Sequence, residues 1–135
     1  MALDPGSPRV KEIARLSQKD ARYETGLFLL EGPQGLKELA QYPELAQEVF
    51  VTESAMERYS VEISALEKAG VAIEQVSMRV MEKIADTKTP QGIVSVVHHI
   101  DVEFSEIVAT SPKLVVLLDR IQDPGNAGTI IRAAD

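Results

Sequence analysis

The sequence predicts an α/β fold: a three-layer sandwich around a small, largely parallel sheet, followed by the opening strand and helix of a second α/β domain. Three observations carry this expectation. Apolar strand-like runs alternate with stretches of helical spacing, in the order helix-strand-helix-strand-helix-strand-helix-strand, and such alternation implies helical crossovers between strands. Leu114 to Leu118 is a five-residue Val- and Leu-rich run bounded by polar residues, as for a strand covered on both faces. With 44% hydrophobic and 26% charged residues, a chain of 135 residues can bury the core of about one domain, and a complete two-domain protein would be tight.

Taken in order, Met1 to Pro8 has neither a basic n-region nor an apolar h-region, so it does not read as a signal peptide. A helix follows that carries Arg9, Lys11, Arg15, Lys19 and Arg22. At about 100° per residue, Lys11, Arg15, Lys19 and Arg22 share one face, while Ile13 and Leu16 point roughly the other way. Gly26 to Glu31 is the first strand. Pro33 suits the first turn of the next helix, which Leu36, Leu39 and Ala40 would pack and which ends before Pro43. Val49 to Val51 is the second strand. Ser54 is placed to cap a helical stretch to Ala69, broken near Ser60, with Gly70 as its C′ residue. Val71 to Val76 alternates as a third strand, Ser77 caps a short helix over Val80, Met81 and Ile84, and Gly92 to His98 is the fourth strand. The pattern then weakens, with a short helix over Phe104, Ile107 and Val108. The expected organisation is a first domain over 1–100, a linker over 101–112 and the start of a second domain over 113–135.

Composition excludes several classes of function. No stretch of 18 apolar residues suggests a membrane span. The absence of cysteine removes disulfides and thiolate metal ligands and suits a cytoplasmic protein. A formal charge of −7 argues against non-specific wrapping of nucleic acid. The basic residues of the first helix soften that objection, because a cationic ridge there could face RNA as well as solvent. The acidic excess at Glu44, Glu48, Glu53, Glu57, Glu62, Glu67 and Glu74 is expected to face solvent. His98 and His99, adjacent on a strand, point to opposite sides and cannot share a metal, so no metal site is expected.

The most chemical-looking passage is Asp123-Pro124-Gly125-Asn126-Ala127-Gly128, after the run at 114–118. Gly125 and Gly128 could take positive φ, and N–H groups opening the next helix favour anions. Arg132 lies four residues, about one turn, beyond Gly128. Its forked guanidinium suits phosphate. On spacing alone a purely structural turn is an equal reading. The passage has neither the dinucleotide-fold glycine pattern nor the lysine of a P-loop. Glu31 and Gly32 close a strand, where ligands of open α/β sheets bind, although a structural turn explains them as well. Thr87, Lys88, Thr89 and Gln91 form a polar loop stiffened by Pro90, open to RNA contact or to solvent alone.

The string from Asp123 to Arg132 resembles the first motif of SpoU-type RNA methyltransferases, members of the SPOUT (TrmH-like) class with a knotted methyl-donor site. Arg9-Val10-Lys11, the segment from Leu27 to Gly32, the one from Val49 to Thr52 and the one from Asp86 to Gly92 are similar to segments of that family's substrate-binding domain. The resemblance implies transfer of a methyl group from S-adenosylmethionine to a ribose 2′-hydroxyl of ribosomal or transfer RNA. It also implies homodimers through the catalytic domain, and a cofactor pocket built by segments beyond Asp135. By the same resemblance Arg132 would position the RNA phosphate and help activate the hydroxyl, and Asn126 would order the site. A guanidinium is a poor base, which favours the positioning role. RNA would be met by Arg9, Lys11, Arg15, Lys19, Arg22, Glu31, Gly32, Thr89 and Gln91. The chain by itself is not expected to methylate. Two other readings stay open: a non-catalytic RNA-binding module, since the first domain also resembles ribosomal proteins that bind RNA turns, and a nucleotide-binding protein using the turn at Gly125 to Gly128.

Overall fold

A computed structural model describes residues 2–135. They form two compact units, one reaching to Ile100 and the other spanning Asp101–Asp135.

In the first unit, helix α1 (Pro8–Ala14) starts where the Ser7 hydroxyl accepts the Val10 N–H, with proline in its first turn. A 3-10 turn, Arg15–Ser17, separates it from α2 (Lys19–Thr25) because Gln18 is extended. The single basic helix expected here is therefore two helices, and the helical count from Lys11 to Arg22 that put four cations on one face does not apply. Gly26 caps α2 in the left-handed conformation, and strand β1 runs Leu27–Glu31. Next come α3 (Gly32–Gln41), β2 (Ala46–Val51), α4 (Glu53–Arg58), α5 (Ser60–Lys68) and β3 (Ala72–Gln75). Thr52, not Ser54, caps α4, and Tyr59 breaks the stretch between α4 and α5. Helix α6 (Met78–Ile84), capped by Ser77, and β4 (Ile93–His98) complete the unit.

The strands form one sheet in the order β1-β4-β2-β3. β2 and β3 are parallel, but β4 lies antiparallel to both β1 and β2. The expectation of a largely parallel sheet is thus corrected to a mixed one. A parallel β4 would need α6 to carry the chain back across the sheet. Seven residues of helix span only about 10 Å, and the loop after α6 stays beside the carboxyl end of β1, where Asp86 and Thr87 hydrogen-bond to Glu31. β4 consequently starts at that edge and runs back between β1 and β2.

Helices cover both faces, giving three layers. Phe50, Val94 and Val96 point to one side and pack with Val10, Ile13, Leu16, Val80, Met81 and Ile84. Val49, Val51, Ile93 and Val97 point to the other and pack with Leu36, Leu39, Ile63 and Leu66. Burying each of the large side chains contributes about 1.5–3 kcal/mol, and this two-sided burial explains the apolar runs in β2 and β4.

The second unit holds α7 (Phe104–Ala109) and α8 (Pro124–Ala134). The strand expected over 114–118 does not form, and Leu114 and Leu117 are 79% and 82% exposed. A strand needs a neighbour's N–H and C=O groups, and this unit contains no second strand. Gly125, Asn126 and Gly128 lie inside α8, and neither glycine has positive φ. The anticipated glycine turn is thus a helix start, with the Asp123 side chain accepting the Gly125 N–H at 3.0 Å.

Candidate functional site

β1, β2 and β3 run in one direction and β4 in the other, so Glu31, Val51, Gln75 and the start of β4 share one edge of the sheet. Ligands of open α/β sheets bind at such carboxyl-end edges. A cleft of about 250 Å³ opens there, lined by Glu31, Gly32, Thr87, Thr89 and Gln91. The Glu31 carboxylate accepts the backbone N–H of Asp86 at 3.2 Å, with the N–H and hydroxyl of Thr87 at 3.5 and 3.4 Å, the long end of the hydrogen-bond range. Gly32 has a φ of +85°, and a Cβ on it would come within 3.3 Å of the Gln91 amide oxygen. The left-handed turn and the close approach together account for glycine at this position. Thr89 and Gln91 are exposed, so the Thr89 hydroxyl and the Gln91 amide can meet a ligand, whereas the Thr87 hydroxyl is turned to Glu31.

The structure therefore brings together Glu31, Gly32, Thr89 and Gln91 with Thr87 of the same polar loop, all of them residues singled out by sequence. The basic residues form a separate group around α1 and α2. Arg9 is bound to the Glu48 carboxylate, reaches Glu74 at 3.0 Å and lies 5.7 Å from the centroid of the Phe50 ring. Burial works against its charge, but the hydrogen bond and charge of Glu48, then of Glu74, outweigh it and raise its pKa above the ordinary arginine value. Glu48 and Glu74 are thus partners of Arg9, which corrects the expectation that they simply face solvent. Arg22 donates to the Leu16 and Ser17 carbonyls at 3.0 and 2.7 Å and closes the turn between α1 and α2. Arg15 stands 3.9 Å from Glu24. Lys19 lies over the Tyr23 ring at 5.6 Å, and the edge of that ring meets His99. Lys11 is exposed on α1.

A wider groove of about 670 Å³ lies between these helices and the sheet, lined among others by Arg9, Arg15, Glu24, Leu27 and Val96. It is larger than the edge cleft, but there Arg9 is engaged with Glu48 and Arg15 stands beside Glu24. The Lys19–Tyr23 pair was legible in its i,i+4 spacing. Nothing in the sequence announced the long-range partners of Arg9 or the carbonyl contacts of Arg22.

In the second unit, Asn126 and Arg132 sit on α8 about 120° apart around its axis, so this helix does not bring them together. Residues 113–126 are all exposed. S-adenosylmethionine needs a concave, partly apolar pocket, whereas residues 113–126 lie open to solvent. Among the described residues, no cluster of His, Asp and Glu could hold a metal ion.

Three layers with a cleft at the carboxyl ends of the strands define a small α/β sandwich domain. Residues 7–95 match the family model of the MRM3-like substrate binding domain, and the chain belongs to this family. It is 33% identical over 127 residues to the 23S rRNA (guanosine(2553)-2′-O)-methyltransferase RlmP of Bacillus subtilis, covering 94% of this chain and 47% of that protein. With the mitochondrial rRNA methyltransferase 3 of Homo sapiens it shares 27% identity over 135 residues, 96% of this chain and 31% of that protein. The chain spans about half the length, or less, of these curated relatives. Among solved structures it resembles the SpoU methyltransferase AviRb from Streptomyces viridochromogenes, in complex with AdoMet, at a TM-score of 0.62 and 24% identity, covering 96% of this chain and 49% of that one. An RNA 2′-O ribose methyltransferase matches at a TM-score of 0.61 and 23% identity, over 98% of this chain and 50% of that one. These likenesses establish the fold. The resemblance to SpoU-type RNA methyltransferases is borne out at the level of the family.

Proposed function

We propose that this chain is the RNA substrate-binding portion of an S-adenosylmethionine-dependent RNA 2′-O-ribose methyltransferase. In this reading residues 1–100 bind RNA, 101–112 link, and 113–135 open a knotted methyltransferase domain that supplies the methyl donor site and the dimer contact. The substrate is ribosomal or transfer RNA, and the compartment is the cytoplasm. The observation that carries the reading is the edge cleft: Glu31, Gly32, Thr89 and Gln91, far apart in sequence, converge within the segment matched by a substrate-binding family. Hydroxyl and amide groups at such an edge suit the base edges and 2′-hydroxyls through which unpaired RNA is recognised. Asn126 and Arg132 enter as the first residues of the catalytic site, Arg132 holding the RNA phosphate beside the reacting hydroxyl and Asn126 ordering its surroundings.

Fluorescence anisotropy of this chain with a labelled single-stranded RNA, and with the DNA of the same sequence, tests the reading. Binding of the RNA over the DNA, weakened by Gln91→Ala, is expected. Equal affinity for both, or none for either, overturns it.

A further inference from the structure

We propose that Glu31 is a positioning residue, and that the cleft it organises takes the uncharged part of one unpaired RNA nucleotide, its base edge or ribose, and not its phosphate. The proposal rests on the functional reading above and deepens it.

The carboxylate of Glu31 has two oxygens, and both are occupied. One accepts the Asp86 N–H at 3.2 Å and the other faces the Thr87 N–H and hydroxyl at 3.5 and 3.4 Å. These contacts join positions 55 and 56 residues apart, so Glu31 ties the loop over 86–91 to the end of β1. On the far side of that loop Gln91 leans its amide oxygen towards Gly32. The placement of Thr89 and Gln91 in the cleft therefore depends on the Glu31 clasp.

The lining is a carboxylate, a glycine, two hydroxyls and an amide, and it holds no cation. A phosphate brought there would meet the negative charge of Glu31 with nothing to neutralise it. Neutral donors and acceptors beside one carboxylate suit base edges and ribose hydroxyls instead. The volume, about 250 Å³, lies below the roughly 300–1,000 Å³ of sites for drug-sized ligands, and fits one base or ribose. Lys88 is exposed between Thr87 and Thr89 on the same loop, and in this proposal it meets the neighbouring phosphate.

The experiment measures binding of the chain to a fluorescein-labelled, mixed-sequence single-stranded RNA across a salt series, with amide exchange at Thr87 followed in parallel. The variants are Glu31→Gln, Glu31→Ala, Gln91→Ala, Lys88→Ala and the Glu31→Ala/Gln91→Ala pair. Glu31→Ala is expected to weaken binding about tenfold, the loss of a charge-assisted contact or two, with Glu31→Gln intermediate and Thr87 exchange faster in both. The dependence on salt should keep its slope in these variants and fall by about one in Lys88→Ala. Glu31→Ala should add little on top of Gln91→Ala, because both remove the same placed amide. Additive losses, or a changed salt slope in Gln91→Ala, overturn the proposal while leaving RNA binding intact. Absence of RNA affinity in the wild-type chain overturns the functional reading, and unchanged Thr87 exchange in Glu31→Ala overturns the clasp whether or not RNA binds. Glu31→Gln keeps size and most packing, so it decides the matter if Glu31→Ala fails to fold.

Discussion

The guanidinium of Arg9 meets the carboxylate of Glu74 at 3.0 Å and so ties helix α1 to the outer strand β3. The same group holds Glu48 on β2 and lies over the Phe50 ring. One side chain thus joins a helix to two strands. An exposed ion pair contributes about 0–1 kcal/mol, and a cation over an aromatic ring about 0.5–1. Since the Arg9 side chain is 48% exposed, solvent screens part of this.

Arg9→Ala should therefore destabilise the first unit by about 1–2 kcal/mol, read as a lower melting temperature. Its raised pKa sets the pH dependence. A cation whose folded pKa is raised contributes fully below its unfolded pKa and loses the contribution only as pH climbs through the folded one. The gap between Arg9→Ala and wild type should thus stay level from neutral into mildly alkaline solution. A gap that closes there contradicts the assignment.

Arg22→Ala removes both donors to the Leu16 and Ser17 carbonyls. Hydrogen bonds from charged groups contribute about 1.5–3 kcal/mol each where sheltered, and less at this partly open turn. Urea unfolding should show a loss of about 1–2 kcal/mol. Lys11→Ala, on the exposed face of α1, should leave the midpoint within about 0.5 kcal/mol of wild type.

Ser95 is fully buried on β4, and its hydroxyl has no hydrogen-bond partner among the described residues. An unsatisfied buried hydroxyl costs about 1–3 kcal/mol. Ser95→Ala keeps the Cβ and removes that cost, so thermal unfolding should move upward or stay level. A marked drop in melting temperature would show that the hydroxyl is satisfied after all.

Gly92 immediately precedes β4 with a φ of +82°, and a Cβ there would stand 2.5 Å from the Thr52 hydroxyl oxygen. That oxygen also accepts the Ala55 N–H and caps α4. Gly92→Ala should cost on the order of 2 kcal/mol or more, from the left-handed backbone and the displaced cap together. Denaturant titration of the variant checks it; a midpoint like that of wild type contradicts the contact.

Much of the first unit was legible because its signals are local. Ser77 caps the helix expected after it, and β1, β2 and β4 read as apolar runs, whereas the cap of α4 is Thr52 and not the Ser54 expected. Strand direction was not legible, since it turns on where the loop over 86–91 lies, and that is fixed by Glu31 from 55 residues away. The break at Gln18 escaped the helical count because nothing about glutamine marks a helix end. The residues of the cleft could be named from the chain, Glu31 and Gly32 as the close of a strand and Thr87, Thr89 and Gln91 as a polar loop stiffened by Pro90, yet their convergence is a product of the fold. The run over 114–118 has the composition of a strand, but pairing is a property of neighbours and this unit supplies none.

The most direct test of the central claim is to follow the backbone amide spectrum of this chain as single-stranded RNA is added. The account predicts that the amides of Glu31, Gly32 and the loop from Thr87 to Gly92 shift together and saturably, with smaller changes near Lys11 and Lys19. A spectrum that does not respond, or that changes around α2 while the edge cleft stays still, would contradict it.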